Sequence, residues 1–125
     1  MNYFNLVPKL RNLRHCCTGN YQHISVIFYK KKILSVGFSN STKTHTIANQ
    51  YHYRFPTIHS ELDAILNFQR PNKYLHYCTM LNVRFLKNGK LSLSKPCRGC
   101  QELLRSFRIS SVVYSTNEGK FEWLT

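Results

Sequence analysis

The sequence predicts an α/β domain, a central mixed sheet of four to five strands flanked by helices. Two patterns point there: β-rich apolar runs alternate with segments whose apolar residues recur at helical spacing, and turn residues separate them. Size agrees, because 125 residues, 42% of them hydrophobic, suffice for one core and are too few for two. Residues 1–125 are therefore read as a single domain, with no internal repeats or linkers.

The elements follow in order. Leu6, Val7, Leu10 and Leu13 share one side of a short first helix, in which Pro8 is tolerable only within the first turn. HISVIFY (23–29) and KILSVGF (32–38) are strand-like runs separated by a lysine turn, the pattern of an antiparallel hairpin. Residues 39–57 are polar and aromatic and read as a loop. A second helix carries Ile58, Leu62, Ile65 and Leu66 on one stripe, with Thr57 as its N-cap and a stop near Arg70-Pro71. CTMLNVRFL (78–86) is apolar almost throughout, as a central buried strand is. After the turn Lys87-Asn88-Gly89, the residues Cys100, Leu103, Leu104 and Phe107 stripe a third helix, and SVVYS (111–115) is the next strand. The turn Asn117-Glu118-Gly119 leaves room for an antiparallel final hairpin with KFEWL (120–124), or for no fifth strand; a parallel one needs more residues.

Charge bounds the partners. Eighteen Lys and Arg against five Asp and Glu give +13, spread from Lys9 to Lys120. Such an excess favours phosphate-bearing partners, nucleotide or nucleic acid, although a plain solvated basic surface also accounts for it. No apolar run approaches the roughly 20 residues that span a bilayer, and MNYFNLVPKLRNLRHCC lacks the order of a signal peptide. A cytoplasmic protein without membrane association is expected. Five cysteines is an odd number, and the Cys97/Cys100 spacing suits a metal or redox site, so the thiols are expected to be reduced.

Cys97 and Cys100 stand at i and i+3, on one face of a helix that Pro96 introduces. Two thiolates there can bind one zinc ion, and the positive end of the helix favours the thiolate form. His59 is the outstanding candidate for a third ligand; three protein ligands leave a fourth position for water, the mark of catalytic zinc. His59 and Glu61 are two apart and do not share a helical face, so Glu61 is free to accept a proton from bound water and hand it to a substrate. Two other readings stay open on these residues, a structural zinc site with Cys16 or Cys17 as fourth ligand and a CxxC redox pair. The redox pair has no use for Glu61.

His59-Ser60-Glu61 followed by Pro96-Cys97-Arg98-Gly99-Cys100 is the H-x-E and P-C-x-x-C pattern of zinc nucleobase deaminases. With it go Asn40 and Lys43-Thr44-His45, Val83-Arg84, Ser94-Lys95-Pro96-Cys97 and the ending VVYSTNEGKFE. From about Ile24 to Phe121 the chain resembles the cytidine and deoxycytidylate deaminase superfamily, most of all the small deaminases of bacteriophages and other large DNA viruses. The resemblance implies a three-layer α/β/α fold, zinc held by His59, Cys97 and Cys100, and Glu61 as proton shuttle. It also implies that Asn40 contacts the sugar and the backbone at Ser60 the base, and that the chain assembles into oligomers as relatives often do. Two positions depart from the family pattern. Ser60 stands where most relatives have alanine, altering base contacts or capping the helix, and Ser39 is inserted in Gly37-Phe38-Ser39-Asn40, where it can take the part of Asn40.

The activity so implied is hydrolysis of a cytosine-type base to uracil with release of ammonia, on a free (deoxy)cytidine nucleotide such as deoxycytidylate. The rival is a deaminase of single-stranded DNA or RNA, for which the basic surface and the alternation Tyr51-His52-Tyr53-Arg54-Phe55 speak. A third reading is an inactive zinc-containing binding protein, against which the intact Glu61 stands.

Overall fold

The computed structural model describes residues 2–19, 22–44 and 57–125. Helix α1 (Tyr3–Asn12) and a 3-10 turn (Arg14–Cys16) precede strands β1 (Gln22–Tyr29) and β2 (Lys32–Phe38). Then come β3 (Asn40–Thr44), β4 (Thr57–Ile58), α2 (Ser60–Leu66), a 3-10 segment (Asn72–Tyr77) and β5 (Thr79–Phe85). The chain closes with β6 (Leu91–Ser92), α3 (Arg98–Ser106), β7 (Ser111–Ser115) and β8 (Phe121–Trp123).

One mixed sheet of six strands runs in the order β2-β1-β5-β7-β8, with β6 paired to β5. β5 and β7 are parallel, joined through α3, and the remaining pairs of this sheet are antiparallel. The strands alternate as a pleat requires. Ile24, Val26 and Phe28 of β1 join Leu81, Val83 and Phe85 of β5 under Val7 and Leu10 of α1. Ile27, Met80 and Val112 face the other way, against Leu62, Ala64 and Ile65 of α2 and Leu103 and Leu104 of α3. Helices thus cover both faces, an α/β/α arrangement of three layers.

Five expectations change. Helix α1 begins earlier than its leucine stripe implies, because Asn2 Oδ1 caps it by accepting from Phe4 N at 3.0 Å and Tyr3 packs on Phe28 and Phe121. Pro8 therefore lies inside the helix, past the first turn, and Leu13 is the C-cap, 37% exposed. The stretch 39–57 is not all loop: β3 pairs with β4 in a second, two-stranded sheet. Thr57 and Ile58 belong to that pairing and neither caps nor stripes α2, which starts at Ser60 with His59 as N-cap. α2 also stops at Leu66, itself 41% exposed, well before Arg70-Pro71, since Asn67 ends the helix and its Nδ2 donates to Val36 O of β2 at 3.0 Å. The sheet gains the short β6, and the last pair, β7 with β8, is antiparallel. His45 and the segment Tyr51–Phe55 lie outside the described residues. Among the described residues no helix is long and apolar enough to cross a membrane.

Candidate metal centre

The first turn of α2 lies directly on β2. Gly37 is buried there, and a Cβ at that position would run into Ala64 N and Ser60 O, so the helix backbone rests on the strand backbone. Three side chains fasten the contact: Asp63 Oδ2 accepts from Phe38 N at 2.8 Å, Ser35 Oγ donates to Ala64 O at 2.6 Å, and Asn67 reaches Val36. This fixes His59 at the helix start, and β3 brings Asn40 opposite Ile58, the residue before it.

α3 is placed by buried serines. Ser94 Oγ donates to Asn82 O at 2.8 Å and accepts from Ser115 N at 2.9 Å, while Ser115 Oγ donates to Ser92 O at 2.6 Å. They seat the segment before Pro96 across β5 and β7, and Gln101 Nε2 then donates to Pro96 O at 2.9 Å. Cys97 is the N-cap of α3, its Sγ accepting from Cys100 N at 3.5 Å.

The two helix starts converge. His59 Nδ1 lies 3.4 Å from Cys100 Sγ and 3.7 Å from Cys97 Sγ, and all three ligand atoms fall within 4.8 Å of one another. Bond lengths of about 2.3 Å for zinc to sulfur and about 2.0 Å to nitrogen put a tetrahedral sulfur-to-nitrogen edge at about 3.6 Å. The observed separations bracket that edge, and two soft thiols with one imidazole are zinc ligands by chemistry. Cys97 is exposed, His59 half-buried and Cys100 buried, so the cluster opens towards solvent on one side. The Cys97 thiol is held down to about 4, first by the hydrogen bond with Cys100 and then by His59, with burial opposing. Among the described residues this is the one group of three or more such side chains at ligand spacing, and Cys17 is occupied elsewhere, donating to His23 O at 3.2 Å. Neither Cys16 nor Cys17 completes a closed four-ligand site.

Glu61 is buried beside the cluster, 6% exposed, at the second position of α2. Burial lifts its carboxyl above the ordinary range, against the pull of His59 and its hydrogen bonds. Asn82 Nδ2 donates to its Oε2 at 3.0 Å and Ser60 Oγ to its Oε1 at 3.2 Å. Ser60 therefore does not cap α2; its hydroxyl turns inward to Glu61 and to Ser25, whose Oγ lies 2.7 Å away. Asn40 is half-buried, and its Oδ1 accepts from Thr18 Oγ1 at 3.0 Å. Ser39, the inserted serine, offers its Oγ to His23 N at 3.2 Å and its carbonyl to Thr18 N at 3.1 Å. Sequence reading overlooks Ser25 and Asn82, yet it holds a signal: they are the polar interruptions of HISVIFY and CTMLNVRFL.

Comparison with curated proteins finds no match. The profile of the cytidine and deoxycytidylate deaminase zinc-binding region matches residues 3–116, a span that includes both helix starts and the sheet between them. A histidine and two cysteines at zinc spacing, carried on the sheet and helices that this family shares, agree with that match, and the chain belongs to the cytidine and deoxycytidylate deaminase family.

Proposed function

We propose that the protein hydrolyses the exocyclic amine of cytosine in a free (deoxy)cytidine nucleotide, deoxycytidylate first among them, to give uracil and ammonia. The observation that carries this reading is the cluster of three ligands with a buried carboxylate at its side. In this reading His59, Cys97 and Cys100 hold zinc, and the ion when bound supplies a water acidic enough to act as nucleophile near neutral pH. Glu61 carries the two protons of that water in turn, the first to the ring nitrogen and the second to the departing amine, so that one water is consumed and one ammonia leaves. Asn40 meets the sugar and the Ser60 backbone the base. The excess of Lys and Arg favours a substrate bearing phosphate. Five cysteines outside any disulfide suit a reducing, cytoplasmic setting.

A second reading, deamination of single-stranded DNA or RNA, draws support from the excess of Lys and Arg and from a groove where β1 ends and β5 begins, at the other end of these strands from the cluster. Tyr29, Tyr74 and Tyr77, 44%, 44% and 64% exposed, line it with Lys32 and Arg70. Rings to stack on beside cations are what a single strand uses. An inactive zinc-binding protein gives Glu61 nothing to do. The test is ammonia release by zinc-loaded protein from cytidine, deoxycytidine, deoxycytidylate, deoxycytidine triphosphate and single-stranded DNA at two salt concentrations. Turnover of deoxycytidylate supports the first reading; silence on monomers with salt-sensitive turnover of DNA supports the second. No release from any of them refutes both.

A further inference from the structure

Glu61 is one corner of a closed group of four polar side chains from three elements: Ser25 of β1, Ser60 and Glu61 of α2, and Asn82 of β5. Ser25, Ser60 and Asn82 are 0%, 2% and 2% exposed. Each carboxylate oxygen has its own donor, Asn82 Nδ2 on Oε2 and Ser60 Oγ on Oε1. Ser25 closes the group, its Oγ 2.7 Å from both Ser60 Oγ and Asn82 Oδ1, so that one hydroxyl hydrogen serves two acceptors. Ser25 and Asn82 are direct partners in the β1–β5 ladder, which sets their separation by the sheet.

Stability does not explain the group. Replacing both partners of a buried hydrogen bond by apolar groups of similar shape can leave a fold unchanged or firmer, so burial alone does not call for these four polar side chains. What the arrangement does provide is a carboxylate tied at one oxygen to Asn82 of the sheet and at the other to Ser60, which Ser25 links in turn to β1.

We propose that Ser25, Ser60 and Asn82 are positioning residues for Glu61, fixing the orientation of its carboxylate at the head of α2, and that the Ser60 hydroxyl serves the carboxylate and not the base. The inference rests on the proposed role of Glu61 in deamination. Ser60 and Asn82 orient the carboxylate directly, and Ser25 acts through both. A proton carrier misplaced by about 1 Å is expected to lose about 100-fold in rate.

The test uses the zinc-loaded protein with deoxycytidylate. Asn82→Val removes the donor on Oε2 and the acceptor for Ser25; Ser60→Ala removes the other donor, and Ser60→Thr keeps the hydroxyl. Expected are a fall in kcat of about 100-fold for Asn82→Val and about 10-fold for Ser60→Ala, with KM within about twofold and zinc content unchanged. Ser60→Thr should restore turnover to within about threefold of the parent. A crystal structure of zinc-loaded Asn82→Val should show the Glu61 carboxylate turned or in several rotamers, a readout independent of turnover. Unchanged kcat in both Asn82→Val and Ser60→Ala, or a Glu61 that has not moved, overturns the proposal. If Asn82→Val does not fold, the Ser60→Ala and Ser60→Thr pair decides: equal rates overturn it. A parent protein silent on every cytosine substrate refutes the deaminase reading instead, and the orientation of Glu61 in Asn82→Val then decides the positioning claim alone.

Discussion

Helices α2 and α3 both deliver candidate ligands from their N-caps, but the two turns are built differently. In α3 the short side chain of Cys97 bends back to accept from Cys100 N, so one sulfur caps the helix and faces the cluster. In α2 the His59 side chain makes no cap bond, and its Nδ1 lies 3.4 Å from Cys100 Sγ of α3. The seats differ as well. α2 rests backbone on backbone at Gly37, whereas α3 hangs from a segment that buried serines pin across β5 and β7. A thiol can ligate and cap at once; an imidazole that ligates leaves its helix start to be held by the sheet.

The largest effects test whether both turns serve one ion. His59→Ala and Cys97→Ser are each expected to abolish stoichiometric zinc by elemental analysis, and normal zinc in both breaks the comparison at its root. Glu61→Ala should keep its zinc and lose about 1000-fold in kcat. Next comes the seat of α2. Gly37→Val forces strand and helix backbones apart and is expected to lower unfolding stability by more than about 3 kcal/mol in chemical denaturation, against about 1 kcal/mol for Gly119→Ala, where an added Cβ meets nothing and only the left-handed backbone is strained.

Acid supplies the third test. Burial first, then Arg84 and His59, pushes the His23 imidazole from 6.5 down to about 4. The unfolded chain takes up that proton first as pH falls, so stability present above about 6.5 is lost between there and about 4. The loss should reach about 2 kcal/mol after allowance for the ring's partial exposure, and His23→Gln should flatten the slope in denaturant titrations of metal-free protein. The smallest effect sharpens the contrast in caps. Without metal, Cys97→Ala should fray the start of α3 at a cost of about 1 kcal/mol, and His59→Ala should leave the start of α2 unfrayed by hydrogen exchange, because only Cys97 caps its helix.

Much of this was legible beforehand because the chemistry is concentrated in spacing. Cys97 and Cys100 at i and i+3 after Pro96, with His59 and Glu61 too close in sequence to share a helical face, lead to a cluster that the structure does assemble. The strands were legible for a related reason: within 23–29 and 78–86, residues 24–28 and 80–83 are buried on both faces and read as largely apolar runs. Pairings across long loops were not. Nothing local in Thr57 and Ile58 says that Asn40 and Thr44 will draw them into a strand, so a plausible N-cap became a sheet residue. Ser60 misled in the same way, since serine at a helix start reads as a cap and only Ser25 and Glu61, one of them on a distant strand, turn its hydroxyl inward. Pro8 inside α1 needed knowledge of the aromatic contacts of Tyr3.

The glycine under α2 has one more effect. Because peptide touches peptide at that point, the height of the helix start above the ladder does not depend on the volume of any side chain. Drift in the interior beneath the rest of the helix, Ile65 to valine or Leu62 to methionine, should soften the protein while leaving the imidazole where it stands. Robustness of the fold and aim of the ligand are thereby uncoupled, and the position that uncouples them tolerates no atom beyond its backbone.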